Sequence, residues 1–97
     1  MIRHTVLFGW SDDATDAQKK RAADEIMRLP SLVPSVRAFG CGPDVGVNQG
    51  NFDFAATADF DDVAGYVAYR DNPEHRAMVE EHILPIAARR ATVQFEF

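Results

Sequence analysis

The sequence predicts an α+β chain of order β-α-β-β-α-β. This is the ferredoxin-like arrangement, an antiparallel four-stranded sheet with helices on one face. Three observations predict it. Both ends of the chain and a central segment alternate side chains with period two, as half-buried strands do. Two other segments carry apolar residues at helical three-and-four spacing behind recognisable caps. Gly-, Pro-, Asn- and Asp-rich stretches separate these segments, and no repeat, linker or low-complexity tract interrupts them. At 97 residues the chain allows one domain, taken as 1–97.

In order, residues 2–10 read as the first strand, with Ile2, His4, Val6, Phe8 and Trp10 on one side and Arg3, Thr5, Leu7 and Gly9 on the other. Ser11-Asp12-Asp13 breaks it, and Thr15 to Gln18 has the form of a capping box. The helix that follows should bury Ala22, Ala23, Ile26, Met27 and Leu29, face Lys19, Lys20, Asp24 and Arg28 to water, and stop at Pro30. An irregular connector, residues 31–35, leads to a second strand over 36–41. A Gly/Asn-rich loop over 42–51 then joins it to a third strand over 52–60. Asp61 or Asp62 caps a short helix through Tyr69. Asn72-Pro73 then restarts the helix, with Asn as N-cap and Pro at the first helical position. The inner stripe of this last helix is His75, Met78, Val79, His82, Ile83 and Ile86, with Pro85 ending or bending it, and residues 91–97 form the fourth strand.

Composition narrows the function. A net charge of −5 and the lack of a basic run argue against nucleic acid as a partner. No apolar run approaches the length of a membrane span, and the start, MIRHTVLFGW, lacks signal-peptide regions. The single cysteine, Cys41, excludes an internal disulfide and reads as a small buried hydrophobe. A soluble, cytoplasmic chain with no membrane partner is the expectation. The glycines of 42–51 precede no helix, so they make a connector and not a phosphate cradle.

One sheet face remains to be covered. If Phe8, Phe39 and Phe54 meet the helices, alternation sends Leu7, Val36, Ala38, Ala55, Val93, Phe95 and Phe97 to the opposite side. A solvated face should read polar, and this one is mostly apolar. A second copy of the sheet is the economical cover, making a homodimer around a shared barrel, a dimeric α/β barrel.

The stretch YVAYRDNPEHRAMVEEH, residues 66–82, combines a helix restart with Tyr, Arg and His. His75, third in the restarted helix, sits near the positive end of the helix dipole, which disfavours a charged imidazole. A neutral His near pH 7 can take a proton from carbon beside a carbonyl, and Tyr69 can donate its O–H to the developing enolate oxygen. The same residues also fit a hydrogen-bonded core histidine with Tyr69 packed beside it. Tyr66 and His82 read as packing residues. His75 and His82 lie about 10.5 Å apart along a helix, too far to share an ion, so no metal site is assigned. No Gly-x-Ser-x-Gly nucleophile signature occurs.

The opening His4-Thr5-Val6-Leu7-Phe8, the central Gly42-Pro43-Asp44 and Gly50-Asn51-Phe52-Asp53, then Asp59-Phe60 and Tyr69 through His75 together resemble the stress-responsive dimeric α/β-barrel (Dabb) family along nearly the whole chain. The resemblance implies a ferredoxin-like protomer, a homodimer and no required organic cofactor. It also implies kinship with the plant olivetolic acid cyclase, in which a Tyr and a His six residues later act in a pocket between helices and sheet. Tyr69 and His75 match that pair as catalytic candidates, and His4 matches a pocket-lining His. Phe54 replaces a further His, and Ala22, Ala23 and Ile26 replace larger aromatics, so the pocket is reshaped. Some family members bind a metal near the connector after the first helix. Here that connector, 29–36, carries no side-chain ligand cluster.

Expected pocket residues are His4, Val6, Phe8, Ile26, Phe39, Phe54, Met78 and Val79. The ligand expected is a small polyketide-like or aromatic molecule, with cofactor-independent acid–base chemistry of cyclase or lyase type. Two alternatives stand beside it: a non-catalytic stress-associated dimer, and a cofactor-independent monooxygenase of the same fold.

Overall fold

The computed structural model describes residues 1–97. Strand β1, Ile2–Trp10, alternates buried and half-buried residues as far as Phe8. Helix α1, Asp16–Met27, begins on the full capping box: Gln18 N–H donates to Thr15 Oγ1 at 3.1 Å and Thr15 N–H to Gln18 Oε1 at 2.9 Å. These bonds satisfy donors that the first helical turn leaves orphaned. The helix buries Ala22 and Ile26. Past Arg28 the chain turns into a four-residue helix, α2, Leu29–Leu32, with Pro30 in its first turn. Strands β2, Ala38–Pro43, and β3, Phe54–Phe60, follow. Helix α3, Val63–Asp71, is capped by Asp62, whose side chain accepts from Gly65 N–H. Helix α4, Pro73–Met78, is capped by Asn72 and runs into a π-helical turn, Val79–Ile83, before β4, Ala87–Glu96.

The strands pair antiparallel in the order β2-β3-β1-β4. This is the predicted ferredoxin-like sheet. Register decides which residues share a face. Ile2, His4, Val6 and Phe8 lie opposite Phe60, Ala58, Ala56 and Phe54 of β3 and opposite Glu96, Gln94, Thr92 and Arg90 of β4. That face meets the helices. Its core joins Val6, Phe8, Phe54, Ala56, Ala58 and Phe60 to Ala22, Ile26, Leu29, Val33, Tyr69, Met78, Ile83 and Ile86. The other face carries Arg3, Thr5 and Leu7 of β1, Ala55, Thr57 and Asp59 of β3, and Ala91, Val93 and Phe95 of β4, with Arg3 and Asp59 in an ion pair at 2.7 Å, and the helices all lie on the opposite side. Val93, Phe95 and Phe97 are 54%, 44% and 53% exposed.

Several local expectations shift. Met27 points to solvent at 64% exposure, one residue past the stripe that Ala22 and Ile26 define. Pro30 begins α2 instead of merely ending α1, because a proline in a first turn forfeits no helical hydrogen bond. Strand β2 starts at Ala38 and takes in Gly42-Pro43; an edge strand accepts proline because its outer N–H needs no partner. Val36 lies before this strand and packs on the core, not on the open face. Phe52 lies outside β3, with the Arg89 guanidinium 4.4 Å above its ring. Strand β4 begins at Ala87, four residues earlier than its alternation suggests, because pairing with β1 continues where Ala87 to Arg90 show no pattern.

Candidate functional site

The helix-side face of β4 differs from that of its neighbours. Arg90, Thr92, Gln94 and Glu96 make it polar, whereas the residues opposite them on β1 are largely apolar. Over β1 and β4 the helices leave a cavity of about 560 Å³. Its floor is His4, Val6, Phe8, Ala56, Arg90 and Thr92. Ile26 and Leu29 close one side, Tyr66, Tyr69, Arg70 and Asp71 of α3 another, and His75, Arg76, Met78, Val79, Glu80, Ile83 and Leu84 the rest. The π-helical turn contributes here: Leu84 N–H bonds back to Val79 C=O, and the widened turn brings Val79, Glu80, Ile83 and Leu84 all to the wall.

Four rings cluster at the polar end. Tyr69 and His75 have centroids 4.3 Å apart. His4 lies 5.9 Å from Tyr69 and 5.0 Å from Tyr66. The helix restart creates the closest of these contacts. Asn72 N–H closes α3 on Tyr69 C=O at 3.2 Å, and its carboxamide oxygen accepts from Glu74 and His75 N–H at 2.9 and 3.1 Å. One residue thus fixes the end of the helix holding Tyr69 and the start of the one holding His75.

Hydrogen bonds assign opposite polarity to the two histidines. His75 Nδ1 is 3.4 Å from Arg70 C=O, and a carbonyl only accepts, so Nδ1 carries the proton and Nε2 the free lone pair. Gln94 Nε2 donates to His4 Nδ1 at 2.9 Å, which leaves His4 with its proton on Nε2 as a donor. Burial first, and then the nearby His75, hold the His4 pKa down at about 4. His75 is also lowered, by burial first and by Arg76, with the Arg70 carbonyl opposing. Burial is the leading cause that favours the neutral His75 ring. Tyr69, only 4% exposed, has its pKa raised above the ordinary phenol value by burial, then by Tyr66 and Cys41. The site therefore presents a neutral acceptor and two neutral donors.

The sequence profile of the stress responsive A/B barrel domain, Dabb, matches residues 2–97. The chain belongs to the Dabb family. No curated protein matches it by sequence. Among solved structures, it is similar to a dimeric ferredoxin-like protein of unknown function from Thermobifida fusca, with 40% identity, a TM-score of 0.91, and coverage of 99% of this chain and 90% of that one. A Dabb family protein from Mesorhizobium loti is 24% identical with a TM-score of 0.83, covering 99% and 95%. The hydroxynitrile lyase of Passiflora edulis shares the fold at 17% identity and a TM-score of 0.85, covering 97% and 90%.

Within this Dabb fold the residues expected at the pocket divide. His4, Val6, Phe8, Ile26, Tyr69, His75, Met78 and Val79 all line the cavity. Phe39 and Phe54 do not. Phe54 is buried beside Trp10, with ring centroids 6.1 Å apart, and Phe39 lies on edge strand β2 near Met27 and Pro30. Both face the helices, but the cavity opens over β1 and β4, whereas they stand on β2 and at the end of β3. Tyr66, read as a packing residue, lines the cavity, and so do Arg76, Arg90 and Thr92, while Gln94 orients His4. The alternation of 91–97 already placed Thr92 and Gln94 opposite Val93 and Phe95. Arg90 was hidden because the strand's first residues carry no period-two signal.

Proposed function

We propose that this Dabb protein is a homodimer whose cavity binds a small polyketide-like or aromatic molecule and moves a proton on it by cofactor-independent acid–base catalysis. The observation that carries this reading is the Tyr69–His75 pair, with ring centroids 4.3 Å apart, at the polar end of a largely apolar cavity. His75 Nε2 accepts the proton from carbon beside a carbonyl, the C–H electron pair becomes the C=C bond of the enolate, and the carbonyl π pair moves to the oxygen. Tyr69 O–H donates to that oxygen as its charge builds, and its raised pKa keeps it protonated while it does so. The enolate then attacks a second carbonyl of the same molecule, as in a cyclase, or expels a leaving group, as in a lyase.

Exchange of solvent deuterium into an activated aromatic ketone, followed by proton NMR, tests this. The protein should accelerate exchange, and His75→Ala should lower the rate by about 10²–10⁴-fold with ligand binding retained. An exchange rate that His75→Ala leaves unchanged removes His75 from the chemistry. The dimeric part of the reading rests on the apolar outer face of the sheet and on the description of the Thermobifida fusca relative as dimeric.

A further inference from the structure

Six of the ten Lys and Arg side chains are held in ion pairs: Arg3, Lys20, Arg21, Arg28, Arg37 and Arg70. Of the other four, Arg89 lies over the Phe52 ring, and Arg76 and Arg90 both line the cavity. They reach it from different elements, Arg76 from α4 and Arg90 from β4, where Arg90 pairs in register with the buried Phe8. Two acids share the lining. Asp71 is neutralised by a two-point pair with Arg70 at 2.9 and 3.1 Å, which leaves Glu80 against two unpaired guanidinium groups. The cavity is thus locally cationic in a chain of net charge −5. Thr92, next along the same side of β4, adds a hydroxyl to the floor.

We propose that the cavity takes a carboxylate-bearing ligand, with the carboxylate on Arg76 and Arg90 and the apolar body against Val6, Phe8 and Ile26. The inference rests on the ligand-binding reading above and names the chemical class of that ligand. A planar carboxylate matches a guanidinium fork, and at low ionic strength charge-assisted bonds to two exposed guanidinium groups at the cavity mouth together strengthen binding by about tenfold. The apolar wall excludes small hydrophilic acids, so the ligand is amphipathic.

The test uses the intact protein with Nile red as a neutral cavity probe, displaced in parallel by 4-phenylbutyrate and by its uncharged amide at low ionic strength. The acid should bind about tenfold more tightly than the amide, and added salt should erode that preference. Arg90→Gln and Arg76→Gln should each bring the acid toward the amide, with amide affinity and melting temperature unchanged. Equal affinity for acid and amide in the unsubstituted protein overturns the carboxylate subsite and leaves the pocket reading standing. If neither the dye nor either displacer binds, the pocket reading itself fails and this inference falls with it.

Discussion

Asn72 and His75 are bound as cap and third helical residue: the Asn72 carboxamide oxygen accepts from His75 N–H at 3.1 Å and from Glu74 N–H at 2.9 Å. Because Asn72 N–H also bonds Tyr69 C=O, one residue links the two rings, its backbone to the helix of Tyr69 and its side chain to the helix of His75.

Asn72→Ala removes the two bonds made by the cap and should cost about 1 kcal/mol in urea unfolding. Asn72→Asp keeps the acceptor and should recover most of it. If the pair acts together, the alanine variant should lose deuterium-exchange activity beyond what partial unfolding explains, and the aspartate variant should regain it. An alanine variant of full stability and full activity would show that Pro73 alone sets the restart.

Acid should weaken the fold before the carboxylates titrate. His4 has its pKa lowered from 6.5 to about 4, chiefly by burial, and His75 is displaced in the same direction. The unfolded chain takes up protons on these rings as pH falls through their ordinary value, while the folded chain does not take one on His4 until near 4. Stability present above the unfolded value is therefore lost progressively on the way down to about 4. For His4 the loss between pH 7 and 5 should be about 1–2 kcal/mol, allowing for solvent screening at the open cavity. His4→Gln should flatten this slope, and a urea midpoint independent of pH between 7 and 5 would contradict the assignment.

The sheet's outer face supports a prediction about assembly. Val93 and Phe95 stand on the uncovered face beside Thr5 and Arg3. Sedimentation should give a dimer, and Val93→Asp with Phe95→Asp should give a monomer, since unpaired charges buried in an interface are costly. A monomer in the unsubstituted protein would leave that apolar face without the proposed cover.

How much of this was legible follows from which patterns are local. The capping box at Thr15–Gln18 and the Asn72-Pro73 restart are short-range devices, and the structure contains both. Alternation assigned the faces of β1, β3 and the end of β4 because the side-chain period of a strand is two whatever its partner. Pairing extent is not local. Ala87 to Arg90 become strand only because β1 continues beside them, and Arg90 enters the cavity for that reason. The π-helical turn was equally hidden, because a helical stripe from His75 to Ile86 looks regular whether or not one turn is widened. Phe39 and Phe54 face the helices as alternation requires, but which strands the helices stand away from is a tertiary property.

Burial is the main reason the His75 pKa lies below 6.5, and the neighbouring positive charge of Arg76 adds to it while the Arg70 carbonyl opposes. Replacing Arg76 by Gln removes the repulsion between imidazolium and guanidinium but leaves the burial, so the His75 pKa should rise while staying below the ordinary imidazole value. The same change should move the acid limb of any deuterium-exchange profile to higher pH, because a weaker acid keeps its proton longer. NMR titration of the His75 ring proton measures the shift without requiring turnover. Arg76→Lys preserves the charge and should leave the titration nearly in place. A His75 midpoint that does not move in Arg76→Gln would mean that solvent at the cavity mouth screens Arg76 from the imidazole.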